Sequence, residues 1–163
     1  MTETVRPFIT FKDRGEEAVK FYVTLFPNSR VLGITRYELD GGPIPKGNLL
    51  TATFELDGRE FLALDGGETF TFSEGFSMFV NCKTQEEIDR YWKALTGNGG
   101  EEGPCGWLKD RFGLSWQIVP DSLGRMLSDA KSGNAEACMQ AMLKMKKIDI
   151  ATLEKAYRGS PVA

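Results

Sequence analysis

The sequence predicts an α+β fold made of two successive β-α-β-β-β modules followed by a helical tail. Three observations carry this. A strand-like run leads into a helix of 3.6 periodicity twice, at 8-FITF-11 and at 76-FSMFVNC-82. Each helix is followed by strand-like runs ending in a hairpin signal, at Asp57-Gly58 and at Phe112-Gly113. After Pro120 the pattern is helical to the end.

In the first module, the strand 8-FITF-11 gives way after 12-KDRG-15 to a helix whose Ala18, Val19, Tyr22, Leu25 and Phe26 share a face. Pro27-Asn28 stops it. Three strands follow, 30-RVLGITRYEL-39, 49-LLTATFEL-56 and 59-REFLALD-65, the last two joined at Asp57-Gly58, a dipeptide suited to positive φ at both turn positions. The second module opens on 76-FSMFVNC-82. Thr84 caps its helix, with Glu87 three residues on completing a capping box, and Ile88, Tyr91, Trp92 and Leu95 form the apolar stripe. Beyond 97-GNGG-100 come an irregular strand around 101-EEGPCG-106 and the hairpin 107-WLKDRFGLSWQIV-119. The first copy is the longer one, and its loop 38-ELDGGPIPKGN-48, rich in Gly and Pro, accounts for the extra length.

In the tail, Asp121 or Ser122 starts a helix through Leu123, Met126 and Leu127. Asn134 caps a second, with Cys138, Met139, Met142 and Met145 inward, and Asp149 caps a third, with Ile148 and Leu153 forming a hydrophobic staple across the cap. The boundaries expected are 1–67, 68–120 and 121–163, making one structural domain, because neither sheet can bury its open face alone.

With 163 residues, 41% of them hydrophobic, and a net charge of −3, the chain is globular rather than disordered. Lys144, Lys146 and Lys147 make the densest basic group, which reads as the wet side of a helix, so nucleic acid is not expected as a partner. No apolar run reaches the roughly 18 residues of a membrane span, and MTETVRPF lacks the order of a signal peptide, so a cytoplasmic, membrane-free protein is expected. Cys82, Cys105 and Cys138 are odd in number and never in a C-x-x-C arrangement, which indicates neither a disulfide framework nor a thiolate zinc site. Histidine is absent altogether, so catalysis would have to use carboxylates, Tyr, Lys, Cys or backbone.

The stretches 8-FITFKDRGEEAVKFYVTLFPNSRV-31, 54-FELDGREFLALDGG-67, 76-FSMFVNCKTQEEIDRYW-92, 103-GPCGWLKDRFGLSWQIVP-120 and 139-MQAMLKMKKIDIATLEKAY-157 resemble the vicinal oxygen chelate superfamily of glyoxalases, bleomycin-resistance proteins and extradiol dioxygenases. The resemblance is strongest to its PhnB-like branch, the 3-demethylubiquinone-9 3-methyltransferase-like domains. It implies that the modules form a curved mixed sheet around a cavity, and that the protein pairs as a homodimer. In metal-dependent members each module supplies a His from its first strand and a Glu from its last. The matching positions here are Phe8 and Phe76 for the His, and Leu62 and Gln117 for the Glu. Three apolar side chains and one neutral amide cannot gather the several N, O or S donors a divalent transition ion requires, so no metal and no other cofactor is expected.

The lining that the resemblance implies is Phe8, Thr10, Leu62, Leu64, Phe76, Met78, Ser115 and Gln117. Strand alternation puts Gln117 on a face with Ser115 and Val119, and sends Trp116 and Ile118 to the helix side. That set describes an apolar small-molecule site with a few polar handles. Cys105, flanked by Pro104 and Gly106 with Lys109 nearby, is a weak nucleophile candidate. Glu60 and Asp65 are weak acid or base candidates, with Asp65 read mainly as a solvated turn residue and Glu60 as a surface position. Tyr37 and Trp107 read as core or rim aromatics. Gly41-Gly42 and Gly66-Gly67 lie in strand connections rather than in a strand-to-helix turn, so S-adenosylmethionine is not expected.

The expectation is a metal-free protein that binds a small organic molecule. Two alternatives stand beside it: a glyoxalase- or dioxygenase-type enzyme acting on a small oxygenated substrate, with or without a metal, and a structural dimer whose cavity its own side chains fill.

Overall fold

The computed structural model describes residues 3–159. It divides into two compact units, Met1–Thr71 and Phe72–Ala163. Each is a four-stranded mixed sheet with a helix on one face, in the β-α-β-β-β order expected.

In the first unit the strands are β1 (Phe8–Phe11), β2 (Arg30–Arg36), β3 (Leu49–Leu56) and β4 (Arg59–Asp65), in spatial order β1-β4-β3-β2. The β1-β4 pairing is parallel and the rest antiparallel. β3 and β4 turn at Asp57-Gly58 with φ of 49° and 77°, the two positive values that a tight hairpin requires. β2 stops at Arg36, earlier than its apolar run suggests, because the chain leaves the sheet for the loop before Leu49.

Helix α1 (Gly15–Leu25) buries Ala18, Val19 and Tyr22 against Ile9, Phe11, Phe54, Phe61 and Ala63 on one sheet face. Arg14, the residue before it, is left-handed and gives no side-chain cap. Asp65, from the end of β4, supplies the cap instead. Its Oδ1 accepts from the Gly15 N–H at 2.7 Å and its Oδ2 from the Leu49 N–H at 3.0 Å. A Cβ on residue 15 would lie 2.6 Å from that Oδ1, so the helix can start there only with glycine.

Glu16, in the first turn of α1, accepts from Arg36 at 2.8 and 2.6 Å and from Lys20 at 2.7 Å, tying the helix to β2. The Arg36 bonds, then those of Lys20, hold its carboxyl down to about 2, from 4.5. A depressed carboxylate contributes stability that is complete above the ordinary value of 4.5 and is lost as the pH falls towards 2. Glu16→Gln is expected to cost about 1 kcal/mol at neutral pH, a partly exposed pair being well screened, and close to nothing at pH 2. Urea titrations at the two pH values measure it; an equal loss at both would mean that Glu16 acts through packing.

In the second unit the strands are β5 (Met78–Cys82), β6 (Glu101–Glu102), β7 (Trp107–Lys109) and β8 (Ser115–Pro120), in order β5-β8-β7-β6 with β5-β8 parallel. Helix α2 (Gln85–Thr96) buries Ile88, Tyr91, Trp92 and Leu95, the expected stripe, against the side of the sheet that carries Leu108, Trp116 and Ile118. The Thr84 hydroxyl accepts from the Glu87 N–H at 3.2 Å. Glu87 reaches back one residue further than a standard capping box, to the Lys83 N–H at 2.8 Å. The β7-β8 turn spans five residues rather than the two of Phe112-Gly113, because Asp110 folds the loop onto its own carboxylate. Oδ1 accepts from the N–H groups of Phe112 and Leu114 and Oδ2 from the Trp116 indole at 2.8 Å.

The tail belongs to this second unit. It forms α3 (Ser122–Ser128), α4 (Ala135–Met142) and α5 (Ile150–Tyr157). Asn134 and Asp149 cap α4 and α5 as expected, and both staple residues, Ile148 and Leu153, are fully buried. Of the expected inward stripe, Cys138 is fully buried and Met142 and Met145 are half-buried, while Met139 departs from it at 37% exposed. The three lysines follow α4 rather than lying on it, and two of them pair with the module, Lys147 with Asp89 and Lys146 with Glu102. Backbone bonds from Cys105 and Gly106 to the carbonyls of Met145 and Lys146 pin the same segment. No helix among the described residues is long and apolar enough to cross a membrane.

Candidate functional site

Each unit leaves one sheet face uncovered by its helix, and the strand register says which residues occupy it. In the first unit Phe8 pairs with Leu62 and Thr10 with Leu64, on the face opposite Ile9, Phe11, Phe61 and Ala63. The four expected residues therefore do stand together. Phe8 is 47% exposed and the other three are half-buried.

Glu60 stands on the same face, two residues from Leu62, and accepts from Arg6 Nη1 at 2.5 Å. Its cross-strand partner Glu55 accepts from Arg30 at 3.0 Å. Both carboxylates are thus engaged by guanidinium groups. Asp65 points the other way: it is 2% exposed and caps α1, which corrects its reading as a solvated turn residue.

In the second unit the register moves the first strand. Gln117 pairs with Phe79 and Trp116 with Met78. Met78 accordingly lies on the helix side with Trp116, and Phe76 precedes the strand, which begins at Met78. The expected alternation was out of phase here because 76-FSMF-79 contains Phe at both ends, and only pairing with β8 tells which one enters the sheet. The residues that flank Gln117 on the open face are Phe79 on β5 and Trp107 on β7. Phe79 is 55% exposed. Gln117 Nε2 donates to Ser77 Oγ at 2.9 Å. Ser115 shares the face, across from Lys109, and is 2% exposed.

A pocket of about 380 Å³ opens beside this row, with Trp107, Lys109, Ser115, Glu74, Glu101 and Pro104 in its wall. Lys109 bridges to Glu74, whose hydrogen bond raises the lysine pKa. Trp107, read from sequence as a core or rim residue, is the aromatic side chain of this wall. The irregularity at Gly103-Pro104 hid it, since strand phase could not be carried across those residues.

Cys105 lies outside the wall, in a left-handed turn with φ of 57°, and its thiol makes no hydrogen bond among the described residues. Cys82 is fully buried, and burial, with Glu87 nearby, pushes its thiol up to about 12, far from thiolate chemistry at neutral pH.

Of the positions expected to correspond to metal ligands, Phe8 pairs with Leu62, whereas Gln117 pairs with Phe79 and not with Phe76. They do not fit a divalent transition ion, because one neutral carbonyl oxygen is all they offer. Among the described residues no group of three or more His, Cys, Asp or Glu converges.

The family model described as 3-demethylubiquinone-9 3-methyltransferase matches residues 3–119. The chain belongs to this family. A putative 3-demethylubiquinone-9 3-methyltransferase, PhnB protein, from Bacillus cereus is 35% identical, with a TM-score of 0.65 over 72% of this chain and 99% of that one. PA1353 from Pseudomonas aeruginosa, 19% identical, shares the fold at a TM-score of 0.60 over 73% of this chain and 98% of its own. A glyoxalase/bleomycin resistance protein from Albidiferax ferrireducens T118, at 18% identity, covers 72% of this chain and 98% of its own with a TM-score of 0.44. No curated protein matches the chain. As a member of the 3-demethylubiquinone-9 3-methyltransferase family, the protein shares its fold with the Bacillus cereus PhnB protein.

Proposed function

We propose that the chain is a metal-free binding protein for a small, largely apolar organic molecule, and that it works as a homodimer. The observation that carries this reading is the row Phe79-Gln117-Trp107 beside the 380 Å³ pocket. Two aromatic side chains bracket a neutral amide, where a metal enzyme of this superfamily would place a charged ligand. A pocket of that size suits a small organic molecule. The amide offers Oε1 as an acceptor and its second N–H as a donor, the first being donated to Ser77, and neither atom can shuttle a proton at neutral pH.

Methyl transfer, which the family description names, finds little support in the backbone. Gly41-Gly42 follows β2 and Gly66-Gly67 follows β4, and neither pair leads directly into a helix amino terminus that could hold a nucleotide-like cofactor.

The test is elemental analysis together with native mass spectrometry of protein purified without added metal or chelator. The expected result is a dimer mass with no stoichiometric transition metal and with a co-purified organic mass. One equivalent of zinc, nickel, iron or manganese that chelator removes together with an activity would overturn the binding reading in favour of a metal-dependent enzyme.

A further inference from the structure

The pocket on the open face of the second unit has a charge of its own. Three carboxylates, Glu74, Glu101 and Glu102, stand in its wall against one cation, Lys109. Lys109 is bonded to Glu74, and Glu101 faces it across the β6-β7 pair. Glu102 is turned to the Trp92 indole at 2.8 Å and to Lys146 at 4.0 Å. Glu101 is exposed and has no hydrogen-bonded or ion-pair partner of its own among the described residues. The wall thus carries an excess of negative charge at its mouth.

Its interior differs. Trp107 and Lys109 alternate on the same face of β7, so the lysine stem and the half-buried indole present apolar surface side by side. Ser115, across from Lys109, is 2% exposed, and its hydroxyl makes no hydrogen bond to another described residue. No buried side-chain N or O atom among the described residues lacks a hydrogen-bond partner, so this hydroxyl is open to the pocket, where water or a ligand can bond it.

We propose that this pocket takes a flat, apolar organic cation, with its ring system on the Trp107 indole, its positive charge at Glu74 and Glu101, and a polar ring atom bonded to the Ser115 hydroxyl. This rests on the binding reading above and adds the chemical class of the ligand. A cation over an indole gains from the negative ring face, and the gain is largest where water is excluded. The negative mouth attracts the same charge sign and repels a carboxylate or phosphate. The incoming cation competes with Lys109 for Glu74, so the ion pair is a gate that opens by exchange of partners rather than by movement of the sheet.

The test uses two probes on one naphthalene ring, one carrying a trimethylammonium group and the other a sulfonate, titrated calorimetrically into the full chain at low and physiological salt. The cation is expected to bind at least tenfold more tightly, by a margin that shrinks with salt. Trp107→Leu is expected to lose at least tenfold in affinity for it. The double variant Glu74→Gln, Glu101→Gln, at exposed positions that leave the core untouched, is expected to bring the two probes within about threefold of each other. Equal or tighter binding of the sulfonate would overturn the proposal, as would a cation affinity unchanged by the double variant. If neither probe binds while native mass spectrometry shows a co-purified organic ligand, the charge assignment fails and the binding reading stands. If neither probe binds and no organic mass is found, both fail.

Discussion

Replacing Asp110 by alanine is expected to remove about 3–5 kcal/mol from the stability of the second unit. One carboxylate, 3% exposed, satisfies three N–H donors: the backbone of Phe112 at 2.9 Å, the backbone of Leu114 at 3.1 Å and the indole of Trp116 at 2.8 Å. Leu114 and Trp116 are each 1% exposed, so their donors would be left without a partner away from water. The turn they define also sets the phase of β8, and with it the side to which Ser115 and Gln117 project. Trp116→Phe is the control: it removes one donor together with its bond and is expected to cost less, about 1–2 kcal/mol. Urea unfolding followed by tryptophan emission reads both, because all three tryptophans, Trp92, Trp107 and Trp116, lie in this unit. A loss below 1 kcal/mol for Asp110→Ala would show that the loop holds its shape without the carboxylate.

The second large effect is expected at Asp65, in the first unit. Its carboxylate joins three elements, as the end of β4 that caps α1 at Gly15 and holds the start of β3 at Leu49. Bonds from backbone N–H groups to a buried carboxylate are charge-assisted and stronger than neutral ones. Asp65→Ala is expected to cost about 3–5 kcal/mol, since it leaves two N–H groups unsatisfied and opens a void beside Gly15. Asp65→Asn keeps one acceptor and turns an N–H2 towards the other donor, so an intermediate loss of about 2 kcal/mol is expected. Far-UV circular dichroism melts give the totals, and hydrogen exchange at the Gly15 and Leu49 amides locates them. Protection at those two amides that survives in Asp65→Ala would sink the capping role.

The two carboxylates also mark where sequence reasoning stopped. Asp65 sits before Gly66-Gly67 and reads as a turn residue, because nothing local announces that a glycine 50 positions earlier waits for its oxygen. Asp110 sits in a hairpin whose Phe112-Gly113 pair suggests a tight turn, and the indole that completes its bonding is six residues away. In both cases the partner is chosen by chain geometry, while residue type alone left the role open. By contrast, Thr84, Asn134 and Asp149 were legible as caps because cap and amide are three residues apart.

The candidate site divides along the same line. Phe8, Thr10, Leu62 and Leu64 were expected together from the family resemblance, and the parallel pairing of β1 with β4 puts them on one open face. The uncharged character of Gln117 and its neighbours was readable too, since it depends only on which residue types are present. Phe79 and Trp107 were not. Placing Phe79 rather than Phe76 beside Gln117 needs the parallel pairing of β5 with β8, and placing Trp107 there needs the antiparallel pairing of β7 across an irregular Gly-Pro stretch. The sequence by itself determined the two modules, the apolar stripes of their helices and the local caps, because each is written in spacings of two to four residues. Only the tertiary structure decided which aromatic side chains flank Gln117 and which carboxylates are structural, because a strand's phase and a buried acid's partners are set by chain segments distant in sequence.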